Sequence, residues 1–153
     1  MGERPVTGAR TAVAAADWRE AIRAACAPLV EQGAATATYP DRCVATVEEH
    51  GPYIVLAPGI ALAHARPDDG ATALGVAAVT LAEPVAFGHD DNDPVDVVFA
   101  FGSPDTHQHV GLLSSLAGAL ERGLADRLRA ADDDAAARSL LVEATTEGGD
   151  VGA

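Results

Sequence analysis

Aromatic side chains are scarce in this sequence, at 4% of residues, and cysteine is scarcer, with only Cys26 and Cys43. Two thiols are too few for a disulfide framework, and their spacing fits no metal or redox motif. They read as reduced thiols in a reducing, cytoplasmic compartment. No apolar run is long enough to span a bilayer, and the stretch MGERPVTGARTAVAAADW has too short an apolar segment for a secretory core. Clustered cations are also missing: 10 Lys and Arg stand against 23 Asp and Glu, a formal charge of −13. Nucleic acid and anionic membrane surfaces are bound by grouped basic residues, so neither is an expected partner and direct membrane insertion is not expected. A basic protein partner fits the charge better.

What is present is aliphatic. At 153 residues, 48% of them hydrophobic, the chain has the size of one domain with a core of Ala, Val and Leu. Residues 1–11 lack periodicity and are expected to fray, residues 12–145 form an α/β domain in which strands alternate with helices, and 146–153 form a flexible tail. Asp17-Trp-Arg-Glu20 has the form of a capping box, and Gly33 ends the helix it opens; Pro28 is expected to kink that helix or split off its last turn. Tyr39-Pro40-Asp41 opens a second helix that Gly51 closes. Strands are expected over Tyr53–Ala57, Leu74–Ala82 and Val95–Phe101, the last being central, with the acidic turn His89–Pro94 leading into it. A long helix is expected from Thr106 to about Ala131 and a short one after it.

Histidines sit at two informative places. His64 stands where the uncharged run from Gly51 to Ala63 meets Arg66 and two aspartates. Alone, it could be a hydrogen-bonded structural residue, as histidines at the ends of apolar strands often are, or a nucleophile at a sheet edge. His107 and His109 lie at the start of the long helix, whose N–H groups and dipole favour an anion. Leu112, Leu113, Leu116 and Leu120 follow His109 at helical spacing, so His109 shares the buried face and looks toward the strand ends, while His107 looks out. Two histidines there, without a Lys-rich phosphate loop, suit a phosphoryl group carried on an imidazole. A metal site would need a third ligand at suitable spacing, so no metal and no cofactor are expected.

The segments HGPYIVLAPGIALAHARPDDG, FGHDDNDPVDVVFAF and DTHQHVGLLSSLAGAL resemble the enzyme IIA component of the bacterial sugar phosphotransferase system, in its fructose/mannitol/ascorbate superfamily and nearest the ascorbate type. The resemblance covers roughly Asp17 to Val142. It implies a mixed β-sheet flanked by helices on both faces, and a phosphoryl group taken from the phosphocarrier protein HPr and passed to a cysteine of enzyme IIB. It places the phosphoacceptor at His64 and the second catalytic histidine at His109, although a gap-free reading selects His107. Arg66 and His107 are the phosphate-binding candidates. A homodimer stays open, as does the alternative of a phosphorylation-dependent regulatory module like the nitrogen-type relatives. Two departures stand out. Ala63 replaces the proline that usually precedes the active histidine, and restoring it is expected to stabilise the fold by about 0.4 to 1 kcal/mol through the unfolded state. The VATVEEH segment of the second helix also lacks the arginine of mannitol-type members.

Overall fold

The computed structural model describes residues 5–66 and 69–151, without the side chains of Thr106, His109 and 146–151. In chain order the elements are β1 (Val6–Val13), α1 (Trp18–Glu31), α2 (Tyr39–His50), β2 (Val55–Ala57), β3 (Ile60–Ala63), β4 (Gly75–Val85), β5 (Val95–Gly102), α3 (Thr106–Glu121), α4 (Leu124–Ala130) and α5 (Asp134–Val151). The strands form one mixed sheet in the order β1-β4-β5-β3-β2. β1 runs parallel to β4 and β3 parallel to β5, whereas β4–β5 and β2–β3 are antiparallel.

Alternation along the strands divides the core. Leu62, Val76, Ala78, Val97, Phe99 and Phe101 face α3, α4 and α5, while Ala61, Ala63, Ala77, Val79, Val98 and Ala100 face α1 and α2. Both sheet faces are therefore covered by helices, and β5 is buried nearly throughout. The small side chains let the layers approach closely. At Gly8 an added Cβ would collide with Pro28, so that glycine is what lets α1 lie on β1.

Local chemistry explains most boundaries. The Asp17 carboxylate accepts from Glu20 N at 2.9 Å and Glu20 reaches back to Ala16 N at 2.6 Å, a capping box displaced by one residue on its return arm. Pro28 does not split α1. It occupies the last turn, where it deprives only the Ala24 carbonyl of its helical donor, and the helix continues to Glu31. Gly51, at φ 87, closes α2 as expected.

Four expectations need correction. Val6–Val13 does not fray but forms an edge strand parallel to β4, tied to α5 where the Asp134 carboxylate accepts from Thr11 N at 2.8 Å. The strand expected from Tyr53 begins only at Val55, and Gly59, at φ 78, folds β3 back upon it. The long helix breaks at Gly123, whose φ of 91 is left-handed, so its second part is the separate helix α4. The final helix is not short: α5 runs through residues expected to be a tail, as far as Val151.

Candidate functional site

His64 is the first residue beyond β3, at the end of the sheet where parallel β5 also finishes. The reason its ring settles there lies in the ladder. The N–H of Leu62 bonds Ile54 O at 2.9 Å, but pairing with β2 ends there, and the Leu62 carbonyl lies 3.0 Å from His64 Nδ1. A carbonyl can only accept, so the neutral ring that makes this bond carries its proton on Nδ1 and its lone pair on Nε2. The half-buried imidazole is tilted on Phe101 with centroids 5.5 Å apart, and meets the edge of Tyr53 at 5.9 Å.

Behind it stands Tyr39, fully buried at the start of α2. Its hydroxyl donates to Phe101 O at 2.7 Å and accepts from Ala65 N at 3.2 Å. Burial pushes the phenol pKa far up, with the neighbouring Cys43 adding to the shift, so it stays a protonated donor. Cys43 and Cys26 are buried, unbridged thiols 3.9 Å apart, and the Cys26 contact together with desolvation raises the Cys43 pKa.

In front of His64 opens a cavity of about 510 Å³, lined among others by Arg42, His50, Tyr53, Arg66 and Asp69. Arg66, expected beside the histidine, does share its cavity. The sequence contains no lysine, so a cationic contact with phosphate oxygens must come from arginine or histidine. Arg42, Tyr39, Tyr53 and His50 were not singled out from sequence. A signal existed for Arg42: with Ala45, Thr46 and Glu49 it falls at i, i+3, i+4 and i+7 of α2, the polar face turned to the cavity.

The start of α3 differs from expectation. It lies at the same sheet end as His64, since Gly102 closes β5 and α3 begins at Thr106. Its first turn, however, is already capped: the Asp105 carboxylate accepts from His107 N at 2.8 Å, so that N–H is not available to an external anion. His107 is exposed. Leu112, Leu116 and Ala119 are buried, but Leu113 is 37% exposed, so the apolar face is narrower than the leucine spacing suggested. His109 precedes Leu112 by three residues and Leu116 by seven, which keeps its backbone position on that side; its side chain lies outside the described residues. Asp68 and Pro67 also lie outside them. Among the described residues no group of three His, Cys, Asp or Glu is placed to hold a metal ion.

Residues 9–144 match the family model described as phosphoenolpyruvate-dependent sugar phosphotransferase system, EIIA 2. The ascorbate-specific PTS system EIIA component of Shigella boydii is 40% identical over 115 residues, 74% of this chain and 75% of that protein. The mannitol-specific cryptic phosphotransferase enzyme IIA CmtB of Escherichia coli superposes with a TM-score of 0.75 at 26% identity, covering 96% of this chain and 95% of that one. The complex of enzyme IIA and phosphorylated enzyme IIB for mannitol, also from Escherichia coli, has the same fold, with a TM-score of 0.73 at 22% identity over 96% of this chain and 97% of that one.

Proposed function

Because the chain belongs to the EIIA 2 family of the phosphoenolpyruvate-dependent sugar phosphotransferase system, we propose that it is a cytoplasmic phosphocarrier that accepts a phosphoryl group on His64 from phospho-HPr and passes it to a cysteine of enzyme IIB. The observation that carries this reading is the bond between His64 Nδ1 and Leu62 O, which leaves the lone pair of the neutral ring on Nε2. The lone pair of the neutral ring is already free on Nε2, so no base has to remove a proton before attack. Nε2 attacks phosphorus in line; the donor's P–N bond breaks and its electron pair returns to the donor ring. In the second step the enzyme IIB thiolate attacks phosphorus, and the Nε2–P electron pair returns to His64.

Phosphoryl transfer asks mainly for positioning and charge stabilisation. Arg66 and Arg42 line the cavity beside His64 and supply the cationic contacts. His109 is the second histidine that donates to the phosphoryl oxygens, on the grounds of its phase with Leu112 and Leu116. His107, exposed and adjacent to a capping carboxylate, is the weaker phosphate contact. The ascorbate-specific name of the 40% identical relative favours ascorbate as the transported compound. No helix among the described residues is long and apolar enough to cross a membrane.

The test is incubation with phosphoenolpyruvate, enzyme I and HPr, followed by intact-mass and peptide analysis. An acid-labile adduct on His64 is expected, lost in His64→Ala; a His64→Ala protein phosphorylated to the wild-type level overturns the assignment. In the same assay His109→Ala should slow transfer to enzyme IIB by about 10²- to 10³-fold, and His107→Ala should leave it close to wild type. The reverse order would make His107 the catalytic partner. Stable phosphorylation without onward transfer to any IIB would favour a regulatory module.

A further inference from the structure

We propose that Tyr39 is a positioning residue for His64, holding through one buried hydroxyl both the backbone that follows the histidine and the strand residue against which its ring lies. The inference rests on the reading of His64 as phosphoacceptor and deepens it. Three constraints fix the imidazole. Before it, β3 is laddered to β5, with Ala63 opposite Ala100. Within it, Nδ1 bonds Leu62 O. After it, the chain has left the strand, and the Ala65 N–H bonds the Tyr39 hydroxyl.

The roles at that hydroxyl are unambiguous. An amide N–H can only donate and a carbonyl can only accept, so the Tyr39 oxygen accepts from Ala65 and gives its proton to Phe101 O. Phe101 is also the ring tilted on the imidazole, so one oxygen fixes both partners of that contact relative to each other. The packing leaves the hydroxyl little latitude. A Cβ at Gly102 would stand 3.0 Å from the Tyr39 oxygen and 3.1 Å from its Cζ, so the β5 terminus closes over it. In-line attack on phosphorus tolerates small angular error only, and a displacement of about 1 Å at the reacting nitrogen costs on the order of 10²-fold in rate.

Tyr39→Phe removes the hydroxyl and keeps the ring. Single-turnover transfer from phospho-HPr should slow by on the order of 10²-fold, with half-saturation in the donor unchanged, because the docking surface is untouched. The ¹⁵N shifts of His64 should move from a single Nδ1–H tautomer toward a mixture, a change that loss of global stability in a still-folded protein does not produce. Wild-type rate and wild-type ¹⁵N shifts in folded Tyr39→Phe overturn the proposal. Hydrogen exchange of the wild-type protein decides the case where the variant does not fold: Ala65 N–H should be protected well above the level of an open loop, and an unprotected Ala65 amide overturns the proposal without any mutant. His64→Ala separates this from the reading beneath it. If His64→Ala still accepts phosphate, the phosphoacceptor assignment falls; if it does not and Tyr39→Phe matches wild type, only the positioning role falls.

Discussion

The two ends of the sheet use their polar groups in opposite ways. At the end where β5 begins, polar groups are consumed inside the fold. The Asp93 carboxylate accepts from Phe87 N at 2.9 Å, Gly88 N at 2.8 Å and His89 N at 3.1 Å. Arg129 of α4 forks onto Asp96 at 2.9 and 3.0 Å and reaches Asp126 at 2.8 Å. At the end where β5 finishes, Arg42 and Arg66 line an open cavity with His64, and neither guanidinium is ion-paired among the described residues. The acidic turn thus organises structure. Charge density therefore does not separate the two ends, but pairing does: Arg129 is held by two carboxylates, whereas Arg42 and Arg66 face the cavity at His64.

The sharpest way to break this comparison is Asp93→Ala. Removing a carboxylate that serves three backbone donors should cost about 2 to 3 kcal/mol of stability. Phosphate acceptance per folded molecule should stay unchanged, because His64 lies at the other end of the strands. Denaturant titration and the phosphorylation assay test the two halves separately. A defect in phosphoryl transfer without loss of stability would show that the turn belongs to the functional end after all.

A smaller effect is expected at alkaline pH, from the buried groups behind the site. The Tyr39 pKa is raised by burial and by Cys43 beside it, and the Cys43 pKa by its contact with Cys26 and by burial, so the folded protein holds their protons where the unfolded chain would release them. Their contribution is intact below the ordinary values of 9.0 and 10.0 and is lost as pH rises beyond them. Each proton accounts for about 1.4 kcal/mol per pH unit. Unfolding free energies measured at a series of alkaline pH values should fall with that slope, and Tyr39→Phe should remove one proton from it. An unchanged slope would mean that Tyr39 ionises normally in the fold and that its surroundings are wetter than the packing indicates.

How much could be read beforehand depended on the range of the interaction. The Asp17 cap, the Pro40 helix start and the Gly51 stop are contacts between near neighbours, and their residue types announce them. β1 was missed because VTGARTAV mixes glycine, arginine and threonine. It becomes a strand only because β4 pairs with it and α1 and α5 cover its faces, all supplied by distant sequence. The break at Gly123 was legible in principle, since a glycine after a charged helical turn is a common left-handed stop. His64 drew attention because the uncharged run from Gly51 ends beside it, and its expected role came from the family resemblance. Tyr39 could not, because its partners Ala65 and Phe101 are 26 and 62 residues away, and no spacing rule connects them.

The smallest effect, and the one that sharpens the view of the functional end, concerns Ala63. A proline there would reduce unfolded-state freedom by about 0.4 to 1 kcal/mol, since Ala63 is already in strand conformation. The ladder opposes that gain. Leu62 directs its N–H to Ile54 on the β2 side, and successive residues of a strand alternate, so the Ala63 N–H faces β5, with which Ala63 is in register at Ala100. Proline has no N–H, and losing one backbone bond costs about 0.5 to 1.5 kcal/mol. The two contributions nearly cancel, and Ala63→Pro should end about 0.3 kcal/mol below wild type in place of the gain that the resemblance alone suggests. Chemical denaturation decides the sign. A clear stabilisation would mean that the ladder at Ala63 adds little and that His64 is held chiefly by Leu62 O and the Tyr39 bridge; a loss well beyond 1 kcal/mol would mean that the ladder contributes strongly to holding the backbone just before His64.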